Sequence, residues 1–460
     1  MIPRDRPFDT ILVANRGEIA LRVLRSCREL GVRVVVAHST ADADSAAVRY
    51  ADTTVCIGPP AAGKSYLNRA AVLEAAKRTG AQAIHPGYGF LSEHPDFAEA
   101  CEAEGVVFVG PPAEVMMRLG DKVAARSSMA EAGVPMLPGT LHPVTSEQQA
   151  AEAAAEIGYP VIVKAAAGGG GRGMHVVHDP DEFSEAYRRT TATARTLFGD
   201  GRVYVERYLA SARHVEVQLL CDTHGNAVHL GDRDCSVQRR HQKLVEEAPA
   251  PGLPDEVRDR MGDDVVRAAL VTGYVGAGTF EFLVDDEFNH YFMEVNCRIQ
   301  VEHPVTEMVT GIDLVAEQLH VAAGAALPFG QDDVRMTGTA VECRVNAEDP
   351  DSDFRPAAGL LSEFTPPGGA FVRVDTHCRP HYRIPAEYDS LLAKVAAWAP
   401  DRAGALARMH RALGEFDIAG TGVHTTTRFL RNLIGQPVFA RAEHDTGLVT
   451  AILSERTQRS

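Results

Sequence analysis

The first 115 or so residues alternate short apolar runs with helical periodicity, and that alternation leaves few folds open. Thr10–Ala14, Val32–Ala37, Thr53–Ile57, Ala81–Ile84 and Val106–Val109 read as strands. Between them, Glu18–Leu30 carries an apolar stripe through Leu21, Leu24 and Cys27, and Tyr66–Thr79 carries one through Val72, Ala75 and Ala76. Apolar residues three and four apart share one face of a helix. Strand–helix–strand repetition requires crossovers, so the strands run parallel and helices cover both faces of their sheet.

Near residue 120 the texture changes. Ala-rich helical segments, Lys122–Ala132 and Ser146–Ile157, precede a strand at Val161–Lys164 and a glycine cluster. Strand patterns follow at Val203–Val205, His214–Leu220, Ala227–Leu230, Gly278–Val284 and His290–Val295, with a hairpin-like turn at Asp285–Asn289. This stretch is α+β. A third region opens near 335 with Ala340–Val345 and closes with helical patterns around Ala403–Leu413 and His424–Leu433. At 460 residues, two to four domains are expected, and Glu455–Ser460 reads as a loose tail.

Composition excludes several functions. Lys plus Arg is 46 against 62 Asp plus Glu, a net charge of −16, so a surface coating nucleic acid or anionic membrane is not expected. No run approaches the roughly 18 apolar residues of a membrane span. The N-terminus lacks the charged start and apolar core of a signal peptide. The 8 cysteines are scattered with no Cys-x-x-Cys pair, which argues against structural zinc and fits free thiols in a reducing cytoplasm.

Two glycine motifs are decoys. Gly58–Ser65 fits G-x-x-x-x-G-K-[ST], but a P-loop grips phosphate with successive backbone N–H groups, and Pro59 and Pro60 have none. The next strand, Ala81–Ile84, ends in His85 and supplies no aspartate for a metal. Gly168–Gly173 contains G-x-G-x-x-G, yet Met174–Val177 after it reads as a strand, where a dinucleotide fingerprint needs a helix. A glycine loop between two strands, flanked by Lys164 and carrying Arg172, can instead close its amides over polyphosphate.

Thr279–Leu283 and Tyr291–Asn296 look like two strands of one hairpin, each placing a Glu among apolar residues. A buried unpaired carboxylate costs several kcal/mol. Two facing each other, Glu281 and Glu294, call for a cation between them, and Mg²⁺ suits hard oxygen ligands. Asn296 shares the Glu294 face and is a third candidate ligand. Directly after, Arg298, Gln300 and Glu302 alternate, so an extended segment would line them on one face beside that pair. Asp234–Lys243 is a dense basic stretch that reads equally well as a solvated loop or as a wall for nucleotide and anion.

Together these stretches resemble biotin carboxylase, an ATP-grasp enzyme. The resemblance is carried by His85–Glu93, Gly168–Met174, Cys235–Lys243, Glu294–Pro304 and Ala340–Asp349, in that order, and runs from about residue 8 to 450. It implies an N-terminal parallel-sheet domain at 1–118, an ATP-grasp domain at 119–332 with a glycine-rich lid at about 137–209, an α+β C-terminal domain at 333–450 and a tail at 451–460.

The resemblance also implies roles. Lys122, Lys164, Gly168, Gly169, Gly170 and Gly171 would hold ATP phosphates, and Glu206, Leu209, His214, Gln238 and His241 would line the adenine and ribose pocket. Glu281, Glu294 and Asn296 would bind Mg²⁺ or Mn²⁺. Lys243, Arg298, Gln300 and the Val301 amide would hold bicarbonate for Glu302 to deprotonate. Arg344 would stabilise the enolate-like biotin formed once carboxyphosphate breaks down, with Tyr88 beside it. Two positions depart from the family pattern: Arg207 replaces a frequent Lys, and Cys297 a frequent Thr.

No Met-Lys-Met-like biotinyl motif occurs, so biotin is expected on a separate carrier protein, with separate carboxyltransferase subunits. That is the arrangement of an acetyl-CoA carboxylase in fatty acid biosynthesis, or of a pyruvate carboxylase subunit. A homodimer through the Arg25 and Glu29 helix and a segment near Arg373 is expected, although Ala370 stands where an aromatic would be.

Overall fold

The fold is that of a computed structural model, which describes residues 5–166 and 173–459, with side chains through Glu455. The N-terminal alternation forms a parallel sheet: β1 (Thr10–Val13), β2 (Arg33–Ser39), β3 (Thr53–Gly58), β4 (Ala83–His85) and β5 (Val107–Phe108), in the order β3-β2-β1-β4-β5. The first helix, Gly17–Glu29, packs Ile19, Val23, Leu24 and Cys27 into the core. Gly58–Ser65 holds only a short 3₁₀ turn, and the next helix begins at Arg69, capped by Asn68.

Most strands after the Ala-rich helices divide between two sheets, with two further strand pairs, Glu348–Asp349 with Arg355–Pro356 and Leu360–Thr365 with Asp417–Thr421. β6 (Val161–Ala165), β7 (Met174–Val177) and β8 (Val203–Arg207) form a small antiparallel sheet, order β7-β6-β8. β6 and β7 run antiparallel, so the glycine stretch joins two strands as expected. Gly168, Gly169, Gly170, Gly171 and Arg172 themselves lie outside the described residues.

The larger sheet contains β9 (Arg213–Cys221), β10 (Ala227–Arg239), β11 (Gln242–Ala248), β12 (Gly276–Val284), β13 (His290–Asn296) and β14 (Thr339–Asn346). They form an antiparallel sheet with the strands Leu391–Ala399 and Val372–Thr376, in the order β13-β12-β9-β10-β11-β14 followed by those two. One sheet therefore runs through the central and third regions, and Val237, Leu244 and Val245 share a core with Val341 and Val395.

Two expectations fail. The segment expected as a loose tail is the end of a helix, Leu448–Arg459, anchored by buried Leu448 and Val449. Asp234–Lys243 is not a solvated loop but a hairpin, β10 turning into β11 through Arg240 and His241. Both turn residues have left-handed backbones, with φ of 50° and 66°, where glycine or asparagine is usual. Arg239 and Arg240 offset that strain by reaching Asp353, and Arg239 lies 4.4 Å over the Phe354 ring.

Candidate active site

Sheet register builds the centre of the site. Arg233 on β10 pairs with Glu216 on β9, Glu216 with Glu281 on β12, and Glu281 with Glu294 on β13. Cross-strand partners share a face, so one cation and three carboxylates form a row across four strands. At its inner end Arg233 is fully buried and donates to Glu216 at 2.6 Å and to Gln218 and Thr306. The outer end, β13, is the edge strand, and Glu294 is exposed there. Of the two expected carboxylates, one is therefore core and one is rim.

Lys243 reaches over the row. Its Nζ lies 2.6 Å from Glu216, 2.9 Å from Glu281 and 2.6 Å from Glu302. Burial alone would lower this ammonium, but the three carboxylates hold it well above the ordinary lysine value. Glu302 is fully buried between Lys243 and Arg344, whose Nη2 donates to it at 2.8 Å. Burial pushes Glu302 up; the two cations outweigh burial and hold it well below the usual carboxylate range. Arg344 also donates to buried Glu246 at 2.5 Å. Burial raises that carboxyl to about 7, against the pull of Arg344.

Arg298, Gln300 and Glu302 do converge, but not along a strand. β13 ends at Asn296, and Glu302 caps the helix His303–Thr310 with a φ of −79° and a ψ of 6°. The chain turns instead of alternating. Arg298 donates to Glu93 at 2.9 Å and to Asn296 Oδ1 at 2.8 Å, while Gln300 donates to Glu281 at 3.0 Å. Glu93 also accepts from the Cys297 N–H at 2.8 Å, tying this turn to the N-terminal domain.

Glu281 and Glu294 suit a divalent cation. Glu281 is held well below its usual range by Lys243 and His214 despite burial, the latter 3.0 Å away. Desolvation and the facing Glu281 push Glu294 up. A cation between the two would relieve that repulsion. Asn296 turns its Nδ2 to Glu281 at 2.9 Å and its Oδ1 to Arg298, so its amide oxygen sits in the same cluster.

Lys164, on β6, meets Glu206, on β8, at 2.6 Å, and Arg126 meets the same carboxylate at 2.6 Å. Lys122 stands exposed at the rim, its ammonium lowered by desolvation in the cleft and by nearby Lys164. His214 is buried on β9, Leu209 and Gln238 are half-buried, and His241 is exposed in the hairpin turn. Opposite, Arg344, Val301, Tyr88 and Phe90 line a cavity of about 470 Å³ between the N- and C-terminal regions. Tyr88 donates to buried Glu18 there.

Sequence reasoning missed Glu216, Arg233, Glu246 and Glu93. Glu216 is a charge between apolar strand residues, the same signal that exposed Glu281, whereas Arg233 and Glu246 sit beside other charges, Asp232, Asp234 and Glu247, which hide them.

A glycine loop between two antiparallel strands, a carboxylate pair on a hairpin and a cationic wall define an ATP-grasp ligase. Comparison with known proteins agrees at the level of each region. Residues 121–329 match the ATP-binding domain of the carbamoyl-phosphate synthase large chain, 7–116 the biotin carboxylase N-terminal domain and 342–451 the biotin carboxylase C-terminal domain. The biotin carboxylase of Nostoc sp. is 51% identical over 96% of this chain and 98% of its own. A biotin carboxylase crystal structure from Campylobacter jejuni, in complex with a β,γ-ATP ligand, superposes with a TM-score of 0.93 at 45% identity, covering 96% of this chain and 99% of that one. The biotin carboxylase domain dimer of Hydrogenobacter thermophilus 2-oxoglutarate carboxylase, with MgADP, ADP and bicarbonate, gives 0.92 at 43%, covering 96% and 97%. The chain belongs to the biotin carboxylase family. Among the described residues no helix is long and apolar enough to cross a membrane.

Proposed function

We propose that this chain uses ATP and bicarbonate to carboxylate biotin presented by a carrier protein, the first half-reaction of a biotin-dependent carboxylase. The observation that carries it is Glu302, an ionised buried carboxylate held between Lys243 and Arg344 beside the Glu281–Glu294 pair. Bicarbonate is a poor nucleophile, so it needs a base and fixed positive charge at the developing anion. Lys243, Arg298, Gln300 and the Val301 amide would hold it, with Glu302 as the base.

Held between Lys243 and Arg344, Glu302 is ionised but a weak base, because the two cations stabilise its charge. An anion bound to Lys243 draws off part of that charge, and Glu302 becomes a stronger base only when its substrate is present. Glu281 and Glu294, with Asn296, would hold Mg²⁺ or Mn²⁺, which neutralises charge on the transferring phosphoryl group. Lys122, Lys164 and the Gly168–Gly171 loop would grip the phosphates, and Glu206, Leu209, His214, Gln238 and His241 would line the nucleoside pocket. Carboxyphosphate forms, and its breakdown yields CO₂ and a phosphate that deprotonates biotin. Arg344 faces the cavity with Tyr88 and would hold the resulting anion of the biotin ureido group.

The acyl acceptor would be handled by separate carboxyltransferase subunits, those of an acetyl-CoA or other acyl-CoA carboxylase or, as the alternative, of a pyruvate carboxylase. Arg25 and Glu29 of the first helix, with the Arg373 segment, would form the homodimer contact. We would set the domain limits at 1–118, 119–332 and 333–450, and a cytoplasmic location is part of the same proposal.

The test is ADP release with Mg-ATP, omitting bicarbonate and free biotin in turn. Stimulation by biotin only when bicarbonate is present is expected. ATP hydrolysis indifferent to both would point to another ATP-grasp acceptor.

A further inference from the structure

Both carbonyls of the turn that leads into Glu302 are anchored by buried side chains outside the roles above. His303 Nδ1 lies 2.7 Å from the Gln300 carbonyl; a carbonyl only accepts, so Nδ1 carries the proton. Lys394 Nζ donates to the Val301 carbonyl at 2.9 Å. Lys394 comes from the strand Leu391–Ala399, where it is the one charge in an otherwise apolar run, and its side chain is fully buried.

The same ammonium lies 3.1 Å from Glu18 in the first helix, and Glu18 accepts the Tyr88 hydroxyl. Asp375 lies 3.9 Å away, and the buried carboxyl of Glu342 is also close enough to feel the ammonium. These partners come from the central turn, the N-terminal helix and the C-terminal sheet. A buried ion group is weak evidence for stability, because desolvation offsets most of the attraction. Fixing geometry is the better account of a charge kept in such a place.

We infer that Lys394 is a positioning residue, locking the Val301–Glu302 peptide to the Tyr88 wall so that the bicarbonate and biotin positions keep one fixed separation. The inference rests on the biotin carboxylation reading of the site. Lys394 touches no substrate; it acts through Val301 on one side and through Glu18 and Tyr88 on the other.

The test uses the full chain, Lys394→Met and the double variant Glu18→Gln/Lys394→Met. Glu18→Gln removes one of the carboxylates that loss of the lysine would leave buried without its cation, so the double variant is the less destabilised of the two. Both variants should show KM values for bicarbonate and for free biotin raised tenfold or more, with Mg-ATP affinity measured by titration calorimetry within twofold of wild type. KM values within twofold of wild type in either folded variant would overturn the inference. So would a loss of Mg-ATP affinity equal to the loss for bicarbonate, or a double variant that does not fold, either of which would make Lys394 a general fold residue. If the wild-type chain shows no bicarbonate- and biotin-dependent ADP release, it is the functional reading that fails, not the lysine's role.

Discussion

On the side of the cleft proposed for bicarbonate, Lys243 and Arg344 are 11% and 12% exposed, and each is gripped by two or three carboxylates. On the side proposed for the nucleotide, Lys164 is 28% exposed with one carboxylate partner, and Lys122 lies at the exposed rim. The first wall is held by the protein's own ion pairs. Its charges are positioned by strands and by each other, so they need little reorganisation when an anion develops. The second wall has fewer such partners, which suits a site that must take up and release a large polyanion each turnover.

The contrast can be broken most directly at Glu302. Glu302→Gln should lower bicarbonate-dependent ADP release about 10³-fold, within the range for loss of a general base, while Mg-ATP affinity stays within twofold. A variant with near wild-type turnover would remove Glu302 from the chemistry.

Arg344→Ala should cost about 3–5 kcal/mol of unfolding free energy in denaturant titrations, because Glu246 and Glu302 are left buried beside a missing guanidinium. It should also abolish most biotin-dependent turnover. Lys164→Met, on the open wall, should cost no more than about 1 kcal/mol and act mainly by raising the Mg-ATP KM. Equal stability losses at the two positions would erase the distinction.

The preformed wall also has a pH signature. Glu246 is raised from 4.5 to about 7, so the folded protein binds that proton more tightly than the unfolded chain. Its contribution to stability is complete below pH 4.5 and is lost as pH rises through 7. Wild type should therefore lose about 1–3 kcal/mol relative to Glu246→Gln between pH 5 and pH 8 in urea unfolding. A constant difference across that range would mean that Glu246 is ionised throughout.

The smallest effect is expected at the rim. Glu294→Gln should change stability by less than about 0.5 kcal/mol while raising the Mg²⁺ concentration for half-maximal turnover about tenfold. No change in metal demand would exclude Glu294 as a ligand.

The two walls also differ in how far the sequence discloses them. Glu281, Glu294, Arg298, Gln300 and Glu302 lie within one continuous stretch, so strand period and local spacing brought them together. The convergence of the last three was anticipated for the wrong reason, since a turn and a helix cap achieve it. The partners that hold this wall rigid come from elsewhere in the chain: Glu216 and Arg233 through strand register, Glu246 and Lys394 through the sheet that joins the two regions. No local pattern records such pairings, because register is set by long-range packing. What does show is a lone charge in an apolar run, as at Lys394. The helix after Leu448 was missed because its amphipathic signal is short and ends in polar residues.

Carbon transfer tests the central claim most directly. The chain incubated with Mg-ATP, isotopically labelled bicarbonate and free biotin should form acid-labile carboxybiotin. Label incorporation should match ADP released beyond the biotin-free rate and should vanish in Glu302→Gln. ADP release without label on biotin, or label transfer unaffected by that substitution, would contradict the account.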